Sequence, residues 1–371
     1  IEILKDIHWF FKNELWEGFE FVSKFLNHKK DISNDSVIIF FKNLSFILNS
    51  INFLEMRGRD SLGISITLNI KNDYNNYLNI NNLKFIKKFK NYTALNFVFK
   101  ISNSIGYLGE NSNNILEQIG NNKFFMSLIF NAEIINGSII CHTRWASVGK
   151  VNDYNCHPIT NSEKKHEGIQ KLNAFVNGDI YNYNEIIKET KDKYKLTSNC
   201  SSDTLAVPYV FTDKKFKFND LFVKKKLNKL IGSYALALES DFDTNKLLVA
   251  KSGDQGLYIG QSDESFIFSS DVYGLIEKCP KYYSIPSGYF FLIDKNTYNL
   301  SLNLYPLNSG SKISLKNKDF KNSVITTRDI SKMEYSHYLE KEINQTESIL
   351  NRTIHNCINF KKLSNSNSNF F

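Results

Sequence analysis

Two short polar segments of the sequence contain residue types that can hold the charged groups of an amino acid. In the first, Cys141 to Ser147, Arg144 and Trp145 stand side by side after a run of β-forming residues. A guanidinium fixed at a strand end is a rigid donor pair for a carboxylate, and the adjacent indole can cover a ligand. The second segment, Ser202-Asp203-Thr204, stands at a predicted helix start, where Asp203 either caps the helix or binds a ligand ammonium.

A third segment offers a group that stabilises negative charge. Asn177 and Gly178 follow another predicted strand. An Asn amide beside a Gly backbone N–H predicts an oxyanion hole, because Gly lets the backbone come close to a ligand. Each segment also has an ordinary structural interpretation: Arg144 in a surface ion pair, Asn177-Gly178 as a turn and Asp203 as a helix cap. Together the three segments predict a site for an amino acid.

The elements that must position these residues do not alternate regularly between strand and helix. Helical periodicity covers residues 6–27, 37–56, 113–133, 183–193, 203–211, 218–230, 272–278 and 334–359. Residues 61–70 alternate as a strand, and short strand patterns recur between Ser138 and Ile293, several of them almost consecutive. Consecutive strands are typical of antiparallel pairing, whereas parallel sheets need strand–helix alternation. The sequence therefore predicts an α+β fold with largely antiparallel sheets.

Composition and charge favour an ordinary globular protein without nucleic acid or membrane partners. The 371 residues carry 46 Lys+Arg and 38 Asp+Glu, a net charge of +8, but lysine is spread along the chain. The densest cluster, Lys224 to Lys229, is interpreted as a solvated helix face. The most apolar stretch, Ser36 to Leu54, is interrupted by polar residues and predicts an amphipathic helix rather than a membrane span.

Motifs for metals, disulfides and nucleotide cofactors are missing from the sequence. The five cysteines are widely spaced without a CxxC pair, which predicts neither a disulfide framework nor a zinc site. No glycine-rich phosphate-binding motif occurs, so we expect no cofactor and no metal. The default compartment for such a chain is the cytoplasm.

The order of these segments resembles the glutaminase half of the glutamine–fructose-6-phosphate aminotransferase family, also called glucosamine-6-phosphate synthases. The resemblance extends from about Leu54 to about Arg352. It rests on segments similar to the family's LEYRGYDSAG, HTRWA, NAHP, NGIIENY, TDT, GAYALA and ASD motifs, which here begin at Leu54, His142, Asn155, Asn177, Ser202, Gly232 and Ser269.

This resemblance implies an N-terminal-nucleophile hydrolase fold, an αββα sandwich with two mostly antiparallel sheets between helical layers. It implies that a terminal cysteine thiol attacks the glutamine amide, with its own α-amino group as the base. By motif position, the substrate-binding residues are Arg144 for the carboxylate, Asp203 for the ammonium, Trp145 as a cover, and His142 and Thr143 beside them.

The catalytic residues implied by the same motifs are Asn177 and Gly178, which stabilise the oxyanion, and Arg57 near the nucleophile. Ammonia then passes to an isomerase half that converts fructose 6-phosphate to glucosamine 6-phosphate, in a homodimer. We expect three segments: a helical extension or insertion at 1–56, the amidotransferase domain at 57–307 with an inserted region at about 70–136, and a linker and helix at 308–371.

The start of the chain departs from the family pattern. Position 1 is Ile1, and no cysteine precedes Cys141. We expect the chain to lack a short leading strand that carries the nucleophile. Lost glutaminase activity is a second explanation, and a third, Cys141 as nucleophile, is less favoured than an inert buried thiol. A related amidotransferase with another ammonia acceptor and an inactive glutamine-binding module are the alternative functions.

Overall fold

The computed structural model describes residues 2–26, 35–72, 86–102, 107–145, 150–163, 166–262, 265–297 and 302–357. The chain divides into two compact units, Ile1–Thr326 and Thr327–Phe371.

The larger unit contains eight α-helices and fifteen strands among its described residues. A π-helical segment, Phe10–Trp16, separates the first two helices. The helices are α1 Glu2–Trp9, α2 Glu17–Leu26, α3 Asp35–Leu54, α4 Glu110–Asn121, α5 Lys123–Asn131, α6 Tyr183–Tyr194, α7 Ala206–Phe211 and α8 Asp220–Leu227. The strands are β1 Ser61–Lys71, β2 Ile86–Lys88, β3 Tyr92–Ile101, β4 Ile134–Arg144, β5 Ile159–Thr160, β6 Leu172–Ile180, β7 Gly232–Ser240, β8 Lys246–Ser252, β9 Tyr258–Gln261, β10 Phe266–Ser269, β11 Lys281–Ser284, β12 Tyr289–Asp294, β13 Asn303–Pro306, β14 Ile313–Ser314 and β15 Lys321–Asn322.

The strands form three antiparallel sheets. The first has the order β2-β3-β1-β4, the second β14-β13-β12-β8-β7-β6-β5, and the third β10-β9-β11-β15. Successive side chains of β1 point to opposite faces of the first sheet. On one face, Leu62, Ile64 and Ile66 pack with helices α3, α4 and α5. The opposite face of β1 instead turns Ser65 towards Glu239 of β7 in the second sheet.

The second sheet covers both the first sheet and the third. One of its faces carries Leu236, Leu248 and other apolar side chains that pack against helices α6 to α8. Its other face packs with the third sheet through residues such as Val249 and Ile259. The layers are therefore helix, strand, strand and helix, with the first and third sheets side by side in one layer.

Helix α3 is the apolar helix on the outer side of the first sheet. It is long and apolar enough to cross a membrane by length and composition alone, yet half of its most apolar stretch is buried. Phe41 and Leu44 are completely buried in the core of the first sheet. Its buried face provides the amphipathic packing that the sequence predicted.

The α+β class and the layered, antiparallel arrangement are confirmed, with corrections in detail. The helix predicted at 113–133 is two helices, because Asn122 ends one and caps the next through a hydrogen bond from the Phe125 N–H. The helix predicted at 272–278 is a 3-10 turn, Val272–Gly274, followed by irregular chain. Residues 73–85 and 103–106 of the predicted inserted region, about 70–136, lie outside the described residues, and the division at 56 and 307 stays a prediction.

The described part of the smaller unit, residues 327–357, contains two helices, α9 Thr327–Ile330 and α10 Tyr338–Cys357. The buried Lys341 ammonium donates hydrogen bonds to the carbonyls of Asp329 and Ser331, which links these two helices. The prediction of a long helix near the end of the chain is confirmed in position, with a later start than expected.

Candidate active site

Arg144 is held at the end of β4, an edge strand of the first sheet. It is the last residue of β4 and lies opposite Ser61 of β1. Its carbonyl accepts a hydrogen bond from the Asp60 N–H at 2.9 Å. The residue is 5% exposed, so the interpretation of Arg144 as part of a surface ion pair is wrong.

Gly178 lies near the end of β6 in the second sheet. Asn177 and Gly178 pair with Ala235 and Tyr234 of β7, so the alternative interpretation of this pair as a turn is wrong. Gly178 has φ of 113°, in the left-handed region. A Cβ there would overlap the Ser233 carbonyl oxygen, so only Gly fits without distortion. The Asn177 side chain is exposed.

Asp203 is tied to the same strand by its carboxylate. Its Oδ2 accepts a hydrogen bond from the Ile180 N–H at 2.8 Å, two residues beyond Gly178. The Ser202 hydroxyl donates to Oδ1 at 3.2 Å. Ser202, not Asp203, caps the helical turn, because its hydroxyl accepts from the Thr204 N–H. An ionised carboxylate accepts about four hydrogen bonds, so Asp203 retains acceptor capacity for a ligand.

Two histidines, the buried His157 and the partly buried His142, connect the strand layers beneath these residues. The rings of His142 and His157 lie 4.0 Å apart, and His157 Nε2 is 3.3 Å from the Thr204 hydroxyl. His142 is also hydrogen-bonded to the backbone of Val176 in β6. Burial lowers the pKa of His142 to about 4 and holds the pKa of His157 well below its usual range. Both rings are therefore neutral near pH 7, and they position β4, β6 and the Asp203 turn relative to one another.

His157 is a residue whose importance the sequence reasoning did not identify. Its signal was present in the Asn155 to Pro158 segment, which carried the resemblance without an assigned role. The structure places His142 and His157 together through strand packing. His142 and His157 are fifteen residues apart in the sequence, and this spacing did not indicate that their rings are in contact.

The other residues implied by the motifs are placed as follows. The Thr143 hydroxyl donates a hydrogen bond to the Gly58 carbonyl, so this donor holds the segment that follows Arg57. Trp145 is 71% exposed beside the strand end and does not cover the site in this conformation. Arg57 ends the 3-10 turn Glu55–Arg57, and its side chain lies outside the described part of the structure. Ala146 and Ser147 of the first segment also lie outside it.

Four cysteine side chains are described, and none has the environment of a nucleophile. Burial raises the pKa of Cys141, Cys156 and Cys200, and it raises the pKa of Cys279 to about 12. A thiol that stays protonated is a poor nucleophile. The raised pKa of Cys141 favours the inert thiol over a catalytic one, although the residue is only partly buried.

Cys200 shows that the cation and the anion belong to one region. Its thiol lies within electrostatic range of both Arg144 and Asp203, which shift its pKa in opposite directions. The described residues contain no group of three or more His, Cys, Asp or Glu side chains suited to a metal ion. The arrangement can bind a zwitterion by its two charges and present a backbone N–H to a developing oxyanion.

Comparison with known proteins supports this chemistry. A sequence model of the "Glutamine amidotransferase domain" matches residues 155–277. The glutamine–fructose-6-phosphate aminotransferase of Buchnera aphidicola is 27% identical over 247 residues, covering 65% of this chain and 36% of that protein. Its namesake in Helicobacter pylori is 28% identical over 230 residues, covering 59% and 34%. The chain thus spans about a third of the length of these relatives.

Among solved structures, the glutamine phosphoribosylpyrophosphate amidotransferase of B. subtilis, complexed with ADP and GMP, matches with a TM-score of 0.47 and 16% identity. That match covers 72% of this chain and 47% of the other. Residues 155–277 thus match a glutamine amidotransferase domain, and the chain is similar over 58–65% of its length to glutamine–fructose-6-phosphate aminotransferases.

Proposed function

We propose that this chain is the glutamine-hydrolysing part of a glutamine amidotransferase, an aminotransferase that makes glucosamine 6-phosphate. The observation that carries the proposal is the convergence of Arg144, Gly178 and Asp203. These residues come from two sheets and one helical turn. The Cys200 thiol is close enough to the charges of Arg144 and Asp203 for both to shift its pKa. Residues 57–307 form the amidotransferase domain in this proposal.

The substrate is held through its charged end. The Arg144 guanidinium binds the α-carboxylate of glutamine, and the remaining acceptor positions of Asp203 bind the α-ammonium. His142 and His157 stay neutral and hold these groups at their positions, while Thr143 fixes the segment after Arg57. Trp145 moves from its exposed position to cover the bound substrate.

The reaction is amide hydrolysis through a thioester. A thiol attacks the side-chain carbonyl carbon of glutamine, and the oxyanion is stabilised by the Gly178 N–H and the Asn177 amide. Collapse breaks the C–N bond and releases ammonia, and water then cleaves the thioester to give glutamate. The nucleophile in this proposal is a terminal cysteine of the complete protein, because burial keeps the described thiols protonated.

The ammonia acceptor in this proposal is fructose 6-phosphate, which would bind to an isomerase half beyond the present chain. The support is the name shared by the sequence relatives and the resemblance to that family, which extends to about Arg352. We also propose that the complete protein is a cytoplasmic homodimer that needs neither nucleic acid nor a membrane.

Glutaminase measurements on the complete protein test the proposal. We expect Arg144→Lys to raise the KM for glutamine at least about tenfold, because a point charge replaces a two-pronged donor. The matched control Arg328→Lys, in the smaller unit, should leave KM unchanged. Unchanged KM in Arg144→Lys would contradict the carboxylate assignment, and the absence of glutamate production by the unmodified complete protein would contradict the enzymatic function.

A further inference from the structure

A cavity lies between the strand layers, away from the candidate active site. Its volume is about 190 Å³, and Asn96, Asn173 and Glu239 belong to its wall. Asn173 is near the start of β6 and Gly178 near its end, so the two positions are roughly 16 Å apart along the strand. This volume is large enough for one small metabolite or several water molecules.

A chain of hydrogen bonds fixes which atom Asn173 presents. The carboxylate of Glu239 accepts from the Ser65 hydroxyl at 2.9 Å, so the Ser65 oxygen in turn accepts from Asn96 Nδ2 at 2.8 Å. Asn96 Oδ1 therefore accepts from Asn173 Nδ2, at 3.1 Å. This order leaves the Asn173 amide oxygen as the group without a partner, and the assignment does not depend on an arbitrary amide orientation.

The unpartnered oxygen is unusual for its depth. Asn173 is 6% exposed, and its Oδ1 is buried without a hydrogen-bond partner among the described residues. A buried acceptor in this state costs free energy that a donor in the cavity would recover. A ligand at this place is expected to carry an O–H or N–H group.

The cavity also has an excess of positive charge. Four lysines line it, against two acidic residues: Lys87, Lys171, Lys246 and Lys295, with Glu239 and Asp241. Lys295 is paired with Glu239 at 3.8 Å, and Lys246 with Asp243 at 3.3 Å outside the lining. Lys87 is half-buried near the wall, where an ammonium attracts an anion.

We propose that this intersheet cavity binds a small organic anion that also carries a hydroxyl or amino group. The donor of the ligand bonds to Asn173 Oδ1, and its carboxylate or phosphate lies near the lysines. This inference does not depend on the proposed glutaminase function, since none of these groups belongs to the candidate active site.

Calorimetric titration of the complete protein with matched probe pairs tests this site. L-malate is compared with succinate, and glycerol 3-phosphate with propyl phosphate, so that each pair differs in the hydroxyl donors of its first member. We expect the hydroxylated member of at least one pair to bind about tenfold more tightly than its partner. The pair that responds identifies the anion as carboxylate or phosphate.

Two variants locate the binding. Asn173→Leu should abolish the advantage of the hydroxylated probe, whereas the control Asn303→Leu on β13 should retain it. Lys87→Met should weaken both members of the responding pair, and it provides a second reading if Asn173→Leu does not fold. The proposal is overturned if no probe binds at millimolar concentration. It is also overturned if Lys87→Met, or a folded Asn173→Leu, binds the probes with the affinity of the unmodified protein. In either case the cavity would hold water only.

Discussion

The two ends of the strand sandwich are both polar, but they are built in different ways. At the candidate active site, Arg144, Gly178 and Asp203 stand at the ends of strands or at the start of a helical turn. At the opposite end, Glu239 and Lys295 lie between the sheets, and their side chains are 6% and 7% exposed. Residues at strand ends leave room for a ligand, whereas polar groups buried between the sheets must form hydrogen bonds or ion pairs with one another.

The two ends should also respond differently to substitutions. The active-site end depends on backbone conformation and on neutral histidines, and the opposite end depends on a buried ion pair and its hydroxyl partners. Disruption of either end should therefore give a distinct signature in stability, pH dependence or activity.

The largest effect is expected at the active-site end from Gly178→Ala. The left-handed φ of 113° and the overlap of a Cβ with Ser233 should together cost about 4 kcal/mol of unfolding free energy. Denaturant unfolding measures this loss. The control Gly18→Ala, where a Cβ meets no atom within 4 Å, should leave stability unchanged or slightly higher. Equal effects of the two substitutions would contradict the conformational role of Gly178.

At the opposite end, Lys295→Met should cost about 3 kcal/mol, because it leaves the Glu239 carboxylate buried without its cation. The double substitution Lys295→Met with Glu239→Gln should recover part of that loss in a double-mutant cycle. Additive losses, measured by denaturant unfolding, would show that the two side chains do not interact.

The histidine pair predicts a pH dependence specific to the active-site end. The folded-state pKa of His142, about 4, is below the value of about 6.5 in an unfolded chain, so the unfolded state binds more protons as pH falls. His142 should therefore reduce the unfolding free energy by on the order of 3 kcal/mol between pH 6.5 and pH 4. His142→Gln should flatten this part of the pH profile, and the exposed-site control His8→Gln should not. An unchanged slope in His142→Gln would contradict the lowered pKa of His142.

Much of the fold was predictable from the sequence, for identifiable physical reasons. Alternating apolar residues located β1, and helical periodicity located α3 and α6. The break at Asn122 was missed because the apolar period continues across it, and the 3-10 turn at Val272 was missed because its short apolar run resembles a helix.

The candidate site was predictable only where residue type and position along the chain carry the information. Arg144, Gly178 and Asp203 were identified in this way, and their roles stay predictions. Two features depend on packing between sheets, which neighbouring residues in the sequence do not reveal. They are the contact between His142 and His157 and the chain of hydrogen bonds from Glu239 to Asn173.

The smallest effect on stability is expected for Trp145→Ala. Since the indole is 71% exposed, its removal should change the unfolding free energy by less than about 0.5 kcal/mol. The same variant should raise the KM for glutamine several-fold if the indole covers the bound substrate. A large loss of stability would instead assign Trp145 to the fold, and an unchanged KM would remove it from the site.

A crystal structure of the complete protein with L-glutamate, the product of the proposed hydrolysis, tests the central claim most directly. The account predicts the α-carboxylate within hydrogen-bond distance of the Arg144 guanidinium and the α-ammonium within the same distance of Asp203. Glutamate bound away from both residues, with Asp203 contacting only Ile180 and Ser202, would contradict the account.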